Sequence, residues 1–111
     1  MTTTIRLVKN DTAPDVDFTL TDAQTGGAIN VSNAGDVVRL YFRLKGATAL
    51  KATITCTKPN GGADGVVRAV WPALSLDTAG EFEGEIEITF SSGKKQTVYN
   101  KINFSVRDEI G

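Results

Sequence analysis

The sequence predicts an all-β protein, an antiparallel β-sandwich of seven to eight strands forming a single domain over residues 1–111. Three observations predict it. The first is EFEGEIEITF, residues 81–90, where Glu81, Glu83, Glu85, Glu87 and Thr89 alternate with Phe82, Gly84, Ile86, Ile88 and Phe90. Side chains alternate across a strand, so a period of two gives one buried face and one wet face, whereas a helix would scatter the glutamates around its circumference. The second is VVRLYFRLK, residues 37–45, a basic counterpart with Val38, Leu40, Phe42 and Leu44 on one face and Arg39, Tyr41, Arg43 and Lys45 on the other. The third is the close spacing of short apolar runs between Gly, Asn, Asp and Pro turn signals, with no convincing helix anywhere.

The remaining elements follow in order. TTIRLV (3–8) is a first strand, and KNDTAPD breaks it through Asn10, Asp11 and Pro14. VDFTL (16–20) places Val16, Phe18 and Leu20 on one face. DAQTGG is a turn, residues 28–31 a short extended piece, and NAGD the next turn. Residues 52–57 alternate Ala52, Ile54 and Cys56 with threonines, KPNGGADG is a loop, and residues 65–71 return as a strand. WPALSLDTAG connects to the acidic strand. SSGK then turns the chain into TVYN and KINFSV, with Ile102, Phe104 and Val106 in phase. The ends, MTT and DEIG, are expected to fray. A three-residue loop of Ser91, Ser92 and Gly93 opposes Phe90 to Lys94, Ile86 to Val98, Glu87 to Thr97 and Phe82 to Ile102, keeping like faces together and putting Gly93 at the left-handed position. A two-residue loop would mix the faces.

Composition narrows the function. A net charge of −1, from 12 basic and 13 acidic residues, argues against bulk electrostatic binding of nucleic acid. No apolar run approaches the ~20 residues of a membrane helix. The start, MTTTIRLVKN, lacks the long apolar segment of a secretory signal, so synthesis and folding in a cytoplasm are expected. Cys56 is the single cysteine, which excludes an intrachain disulfide, and its parity marks it as a small buried hydrophobe. The chain has no histidine, which removes the commonest general base and the commonest transition-metal ligand. A Ser-His-Asp or Cys-His site is impossible, and the composition speaks against an enzyme.

LDTAGEFEGEIEITFSSGKKQTVYNKINFSV, Leu76 to Val106, resembles the closing half of a bacteriophage immunoglobulin-like domain, a family best known as the N-terminal domain of the baseplate upper protein of tailed phages. The matching elements are Asp77, Gly80 and Phe82 at a corner, the alternating strand from Glu83 to Phe90, and Gly93, Lys94, Lys95 and Gln96 at the turn. The opening RLVKNDTAPDVDFTLTDAQTGGAINVSNAGDVVRLYFRLKG fits the same pattern, so the resemblance covers nearly the whole chain. It implies an immunoglobulin-like sandwich serving as a non-catalytic structural or accessory protein of a virion, in the tail, baseplate or head surface. Its partners would be other virion proteins, with a homo-oligomer as an option, and neither nucleic acid, membrane nor cofactor. Its location would be the virion, after synthesis in the host bacterial cytoplasm. Two departures stand out. The chain stops at Gly111, where longer relatives continue, and Phe82 replaces a corner tyrosine, so packing must hold that corner.

The candidate contact residues are the glutamate row (Glu81, Glu83, Glu85, Glu87), the Arg39, Tyr41, Arg43 and Lys45 set, and Trp71. The glutamate row reads first as a solvated face. Its functional version is a docking surface that pairs with Arg39, Arg43 and Lys45 on another subunit. Paired carboxylates can hydrolyse glycosides, but four like neighbours on a wet strand offer neither a cleft nor divergent environments. Tyr41 between two arginines is the best candidate for an exposed interface aromatic. Trp71 reads first as a packing residue. As an exposed anchor it would suit the alternative function, a carbohydrate- or host-surface-binding adhesion module. Asp11, Asp15, Asp17 and Asp22 could bind calcium, but EF-hand spacing is missing and aspartate is a common turn residue. KPNGGADG lacks the Gly-Lys-Ser/Thr ending of a phosphate loop and reads as a mobile turn, or else as a contact loop.

Overall fold

The computed structural model describes residues 4–13, 15–72, 75–98 and 101–110. Among these there are eight strands and no helix: β1 (Thr4–Val8), β2 (Val16–Thr19), β3 (Val37–Leu44), β4 (Ala52–Thr55), β5 (Val66–Ala69), β6 (Gly80–Thr89), β7 (Lys95–Thr97) and β8 (Ile102–Arg107). The expectations for Met1–Thr3, Pro14, Ala73, Leu74, Tyr99, Asn100 and Gly111 lie outside the described residues. One sheet runs β1-β8-β6-β3-β4, with β7 also on β6, and the other is the pair β2-β5. The expected short piece at 28–31 is no strand. It makes a single bridge, Thr21 to Ala28.

The β3–β6 pairing occupies the middle of the larger sheet. It is antiparallel over eight residue pairs, from Val37 opposite Thr89 to Leu44 opposite Phe82. Apolar parity fixes this register. Val38 lies opposite Ile88, Leu40 opposite Ile86 and Phe42 opposite Gly84, all directed inward. A one-residue slip would turn the whole set outward.

The sheet is mixed rather than wholly antiparallel. β1 runs parallel to β8, with Ile5 opposite Phe104 and Leu7 opposite Val106. The two strands are far apart in the chain, so no tight hairpin forces them antiparallel, and long crossovers permit parallel pairing.

The three-residue turn forms as its glycine predicts. Phe90 N–H donates to Lys94 O at 2.8 Å, Gly93 has φ 90°, and Glu87 lies opposite Thr97. Val98 N–H donates to Ile86 O at 2.8 Å. Beyond that point the expected register changes. Gly84, not Phe82, lies opposite Ile102, and Phe82 lies opposite Phe104. The pairing on β6 is thus offset by two residues between β7 and β8. An offset of two preserves the facing parity, so Phe104 and Val106 still point inward.

The inner faces close on an aromatic cluster. Phe42 stacks on Phe82, with ring centroids 4.7 Å apart and planes at 10°. Phe104 and Trp71 meet Phe42 edge-on at 5.1 and 5.2 Å. Phe82 thus holds its corner by stacking, without a tyrosine hydroxyl. Gly84 makes room beneath these rings, because a Cβ there would come within 2.8 Å of Phe104 Cε2 and 2.9 Å of Leu40 Cδ1. Leu20, Val31, Val67 and Leu76 complete the core.

Gly84→Ala is expected to destabilise the fold by ~1–3 kcal/mol through overpacking, and Phe42→Ala by ~3–5 kcal/mol through the cavity it leaves. Urea-unfolding midpoints check both, and a Gly84→Ala variant as stable as the parent would contradict the packing described.

Candidate protein-contact face

The outer surface of the larger sheet collects the odd-numbered residues of β3 and β6. The register sets Arg39 opposite Glu87, Tyr41 opposite Glu85 and Arg43 opposite Glu83. The acidic row and the basic row are therefore neighbours within one chain. Arg43 Nε and Nη2 reach Glu83 Oε2 at 2.7 and 2.6 Å, and Lys101 Nζ lies 4.0 Å from Glu83 Oε1. Tyr41 donates its hydroxyl to Glu87 Oε1 at 3.0 Å, and Ser105 Oγ donates to Glu81 Oε1 at 3.0 Å. This corrects the expectation that Arg43 serves the row of another subunit, since it is engaged in cis. Among the described residues, Arg39, Lys45 and Glu85 make no ion pair.

The electrostatics follow this geometry. The hydrogen bond from Arg43 holds the Glu83 carboxyl below its usual value against partial desolvation, with Lys101 and Lys45 adding to the attraction. Burial raises the Tyr41 phenol, and its bond to Glu87 raises it further. A shallow depression of about 90 Å³ opens beside Tyr41, between Leu50, Glu85 and Lys101. Leu50 is 52% exposed, an apolar contact at the edge of a polar face. Sequence reasoning missed Leu50 and Lys101. Lys101 shares the outward parity of Asn103 and Ser105, which was a usable signal. Leu50 lies in an aperiodic turn that carried none.

Trp71 is 3% exposed and packs edge-on to Phe42 and Phe104, so it belongs to the core and offers no platform to a sugar or a partner. Cys56 is buried, and desolvation pushes its thiol up to about 11. Two of the N-terminal aspartates do separate structural work. Asp17 receives the fork of Arg68 at 2.7 and 3.1 Å, and Asp22 Oδ1 accepts from Gln24 N–H at 2.7 Å within its turn. No group of three or more His, Cys, Asp or Glu side chains that could hold a metal occurs among the described residues. KPNGGADG is anchored rather than loose. Gly62 accepts from Val31 N–H at 2.9 Å and lies so close to Val31 O that a Cβ would approach within 2.8 Å.

The five-strand order β1-β8-β6-β3-β4 facing a β2-β5 pair defines a β-sandwich of immunoglobulin-like arrangement. Among solved structures the chain is similar to CopC from Methylosinus trichosporium OB3b, at 12% identity with a TM-score of 0.55, over 96% of this chain and 86% of that one. No family model matches, and no curated protein does. These findings overturn the expected membership of the phage baseplate family, and with it the virion role, the virion location and the adhesion alternative attached to that role. The motifs behind that resemblance are the minimum any wet-faced hairpin needs: an alternating strand, a Gly-containing turn and a returning apolar run. They specify the fold without specifying a lineage.

Two outcomes follow. Because the folded Glu83 value is depressed, the stabilisation it carries is present above the unfolded carboxyl value and is lost as pH falls through the folded one. Arg43→Met should therefore lower Tm relative to the parent near pH 7, with the gap closing below about pH 4, as read by thermal melts across pH. Cys56 should resist a thiol reagent at pH 8 in the native protein and react fully in denaturant; rapid native labelling would contradict its burial.

Proposed function

We propose that this chain is a non-catalytic binding module that engages a protein partner through the outer face of its larger sheet. The observation that carries this is the half-satisfied charge ladder. Cross-strand bonds fix Arg43, Glu83, Tyr41 and Glu87 in place, while Arg39, Glu85 and Lys45 make no ion pair among the described residues beside exposed Leu50. A rigid face with pre-ordered Tyr and Arg side chains loses little entropy on docking, and these residue types are enriched at protein interfaces. Threonines of β4, Thr53 opposite Tyr41 and Thr55 opposite Arg39, extend the polar surface.

Several features support a non-catalytic reading. The chain has no histidine, its single thiol is buried with a raised pKa, and its shifted carboxyls are all lowered, each by a hydrogen bond. A general acid needs the opposite shift. The likeness to CopC supports the architecture and assigns no ligand. The chain has no imidazole and its one thiol is buried, so the donors best suited to zinc and copper are missing.

The test is site-specific photocrosslinking in the source cell. A photoreactive residue at Thr53, on the proposed face, should give discrete protein adducts by mass spectrometry, and the same residue at Thr19 on β2 should not. Equal labelling at both positions, or none at Thr53, would remove the reading.

A further inference from the structure

The charge pattern of the whole outer face points to the chemistry of its partner, resting on that face as the binding surface proposed above. The face extends past β3 and β6. Arg6 of β1 lies opposite Ser105 of β8, which lies opposite Glu81, so Arg6 shares the outward side. Arg107 of β8 and Lys95 of β7 have the same parity, and all three cations are exposed. With Arg39, Arg43, Lys45 and Lys101 they make seven cations against the four carboxylates Glu81, Glu83, Glu85 and Glu87, so the face is net positive. The rest of the chain holds the other five cations and nine carboxylates, so it is net negative. A chain of overall charge −1 is thus polarised, with its positive side on the larger sheet.

The cations flank the glutamates. The acidic row runs along β6. Arg39, Arg43 and Lys45 line it on the β3 side, and Lys95, Lys101 and Arg107 on the β7 and β8 side, with Arg6 one strand further out. The two cation lines are therefore two strand spacings apart, about 10 Å. Ion pairing within the chain engages only Arg43 and Lys101, both with Glu83. Among the described residues Arg6, Arg39, Lys45, Lys95 and Arg107 make no ion pair.

We infer that the partner docked on this face is an acidic protein surface, with carboxylates over the two cation lines and a cation or neutral donors over the glutamate row. The excess of unpaired cations sets the sign of the partner, since complementary potentials favour encounter and like charges exclude wrong partners. The striping sets its class. Nucleic acid or an anionic membrane presents one sign everywhere, and would bring phosphates onto Glu81 and Glu85, well inside the ~10 Å over which salt screens them. A protein can alternate its charges to match.

The available area suits such a partner. Five strands ~4.8 Å apart, roughly eight residues long at ~3.4 Å each, present about 650 Å². With a matching area on the partner, that is about 1,300 Å², at the lower end of specific interfaces. Leu50, exposed beside the Tyr41 depression, supplies an apolar contact within an otherwise polar surface.

The experiment carries the photoreactive residue at Thr53 in two charge-matched variants of the full chain, with circular dichroism confirming the fold of each. One combines Arg6→Gln, Lys95→Gln and Arg107→Gln, removing cations that make no ion pair on the face. The other combines Thr12→Glu, Thr19→Glu and Ser32→Glu, exposed positions on β2 and its flanking segments, and reaches the same net charge off the face. The first should lower the yield of protein adducts about tenfold, and the second should leave it unchanged. The crosslinked partner peptide should itself be net acidic. The purified parent should bind neither a single-stranded oligonucleotide, by fluorescence anisotropy, nor phosphatidylserine vesicles, by co-sedimentation, at physiological ionic strength. Equal yields from both variants, a net basic partner peptide, or binding to either phosphate probe that the three Gln substitutions abolish would overturn the inference. The two readings fail separately. Protein adducts indifferent to the Gln substitutions refute an acidic partner and keep the binding face, whereas absence of adducts at Thr53 removes both.

Discussion

The pairing of β3 with β6 is the constraint on which the rest of the molecule depends. One register places Leu40 against Ile86 and Val38 against Ile88 on the inside, and Arg43 against Glu83 and Tyr41 against Glu85 on the outside. Core and candidate site are the two surfaces of the same ladder. Nothing can shift one without shifting the other, since the side-chain period is two and a slip exchanges the faces.

The two surfaces contribute unequally to stability. Burial of Phe42, Phe82, Phe104 and Trp71 is worth roughly 1.5–3 kcal/mol for each large side chain, with edge-on and stacked contacts adding to it. Exposed ion pairs add little, because solvent screens them and ordering two long side chains costs entropy. The apolar surface therefore holds the sandwich together. The charged ladder decides what its exterior looks like and keeps four glutamates on one strand from repelling one another unrelieved.

Most strands were legible because parity is a local property. EFEGEIEITF and VVRLYFRLK each declare an inner and an outer face, and Gly93 declares its turn. What pairs with what was only partly legible. The contact between β3 and β6 joins residues about 40 apart, and no local pattern says that the basic strand supplies the cations for the acidic one. Parallel pairing of β1 with β8 was invisible for the same reason. Trp71 could be read either way because a lone aromatic before Pro72 has no period to place it, and burial decided the matter. Leu50 entered the site through the path of a turn, which composition does not encode.

The register offset between β7 and β8 has an evolutionary corollary. Phe104 and Val106 stay on the core side because the offset is even. With strand direction unchanged and no bulge to absorb it, a single-residue insertion or deletion there would expel both side chains from the interior. A change of two residues keeps the parity of β8 under that condition, so an even gap at this point leaves the core residues where they are.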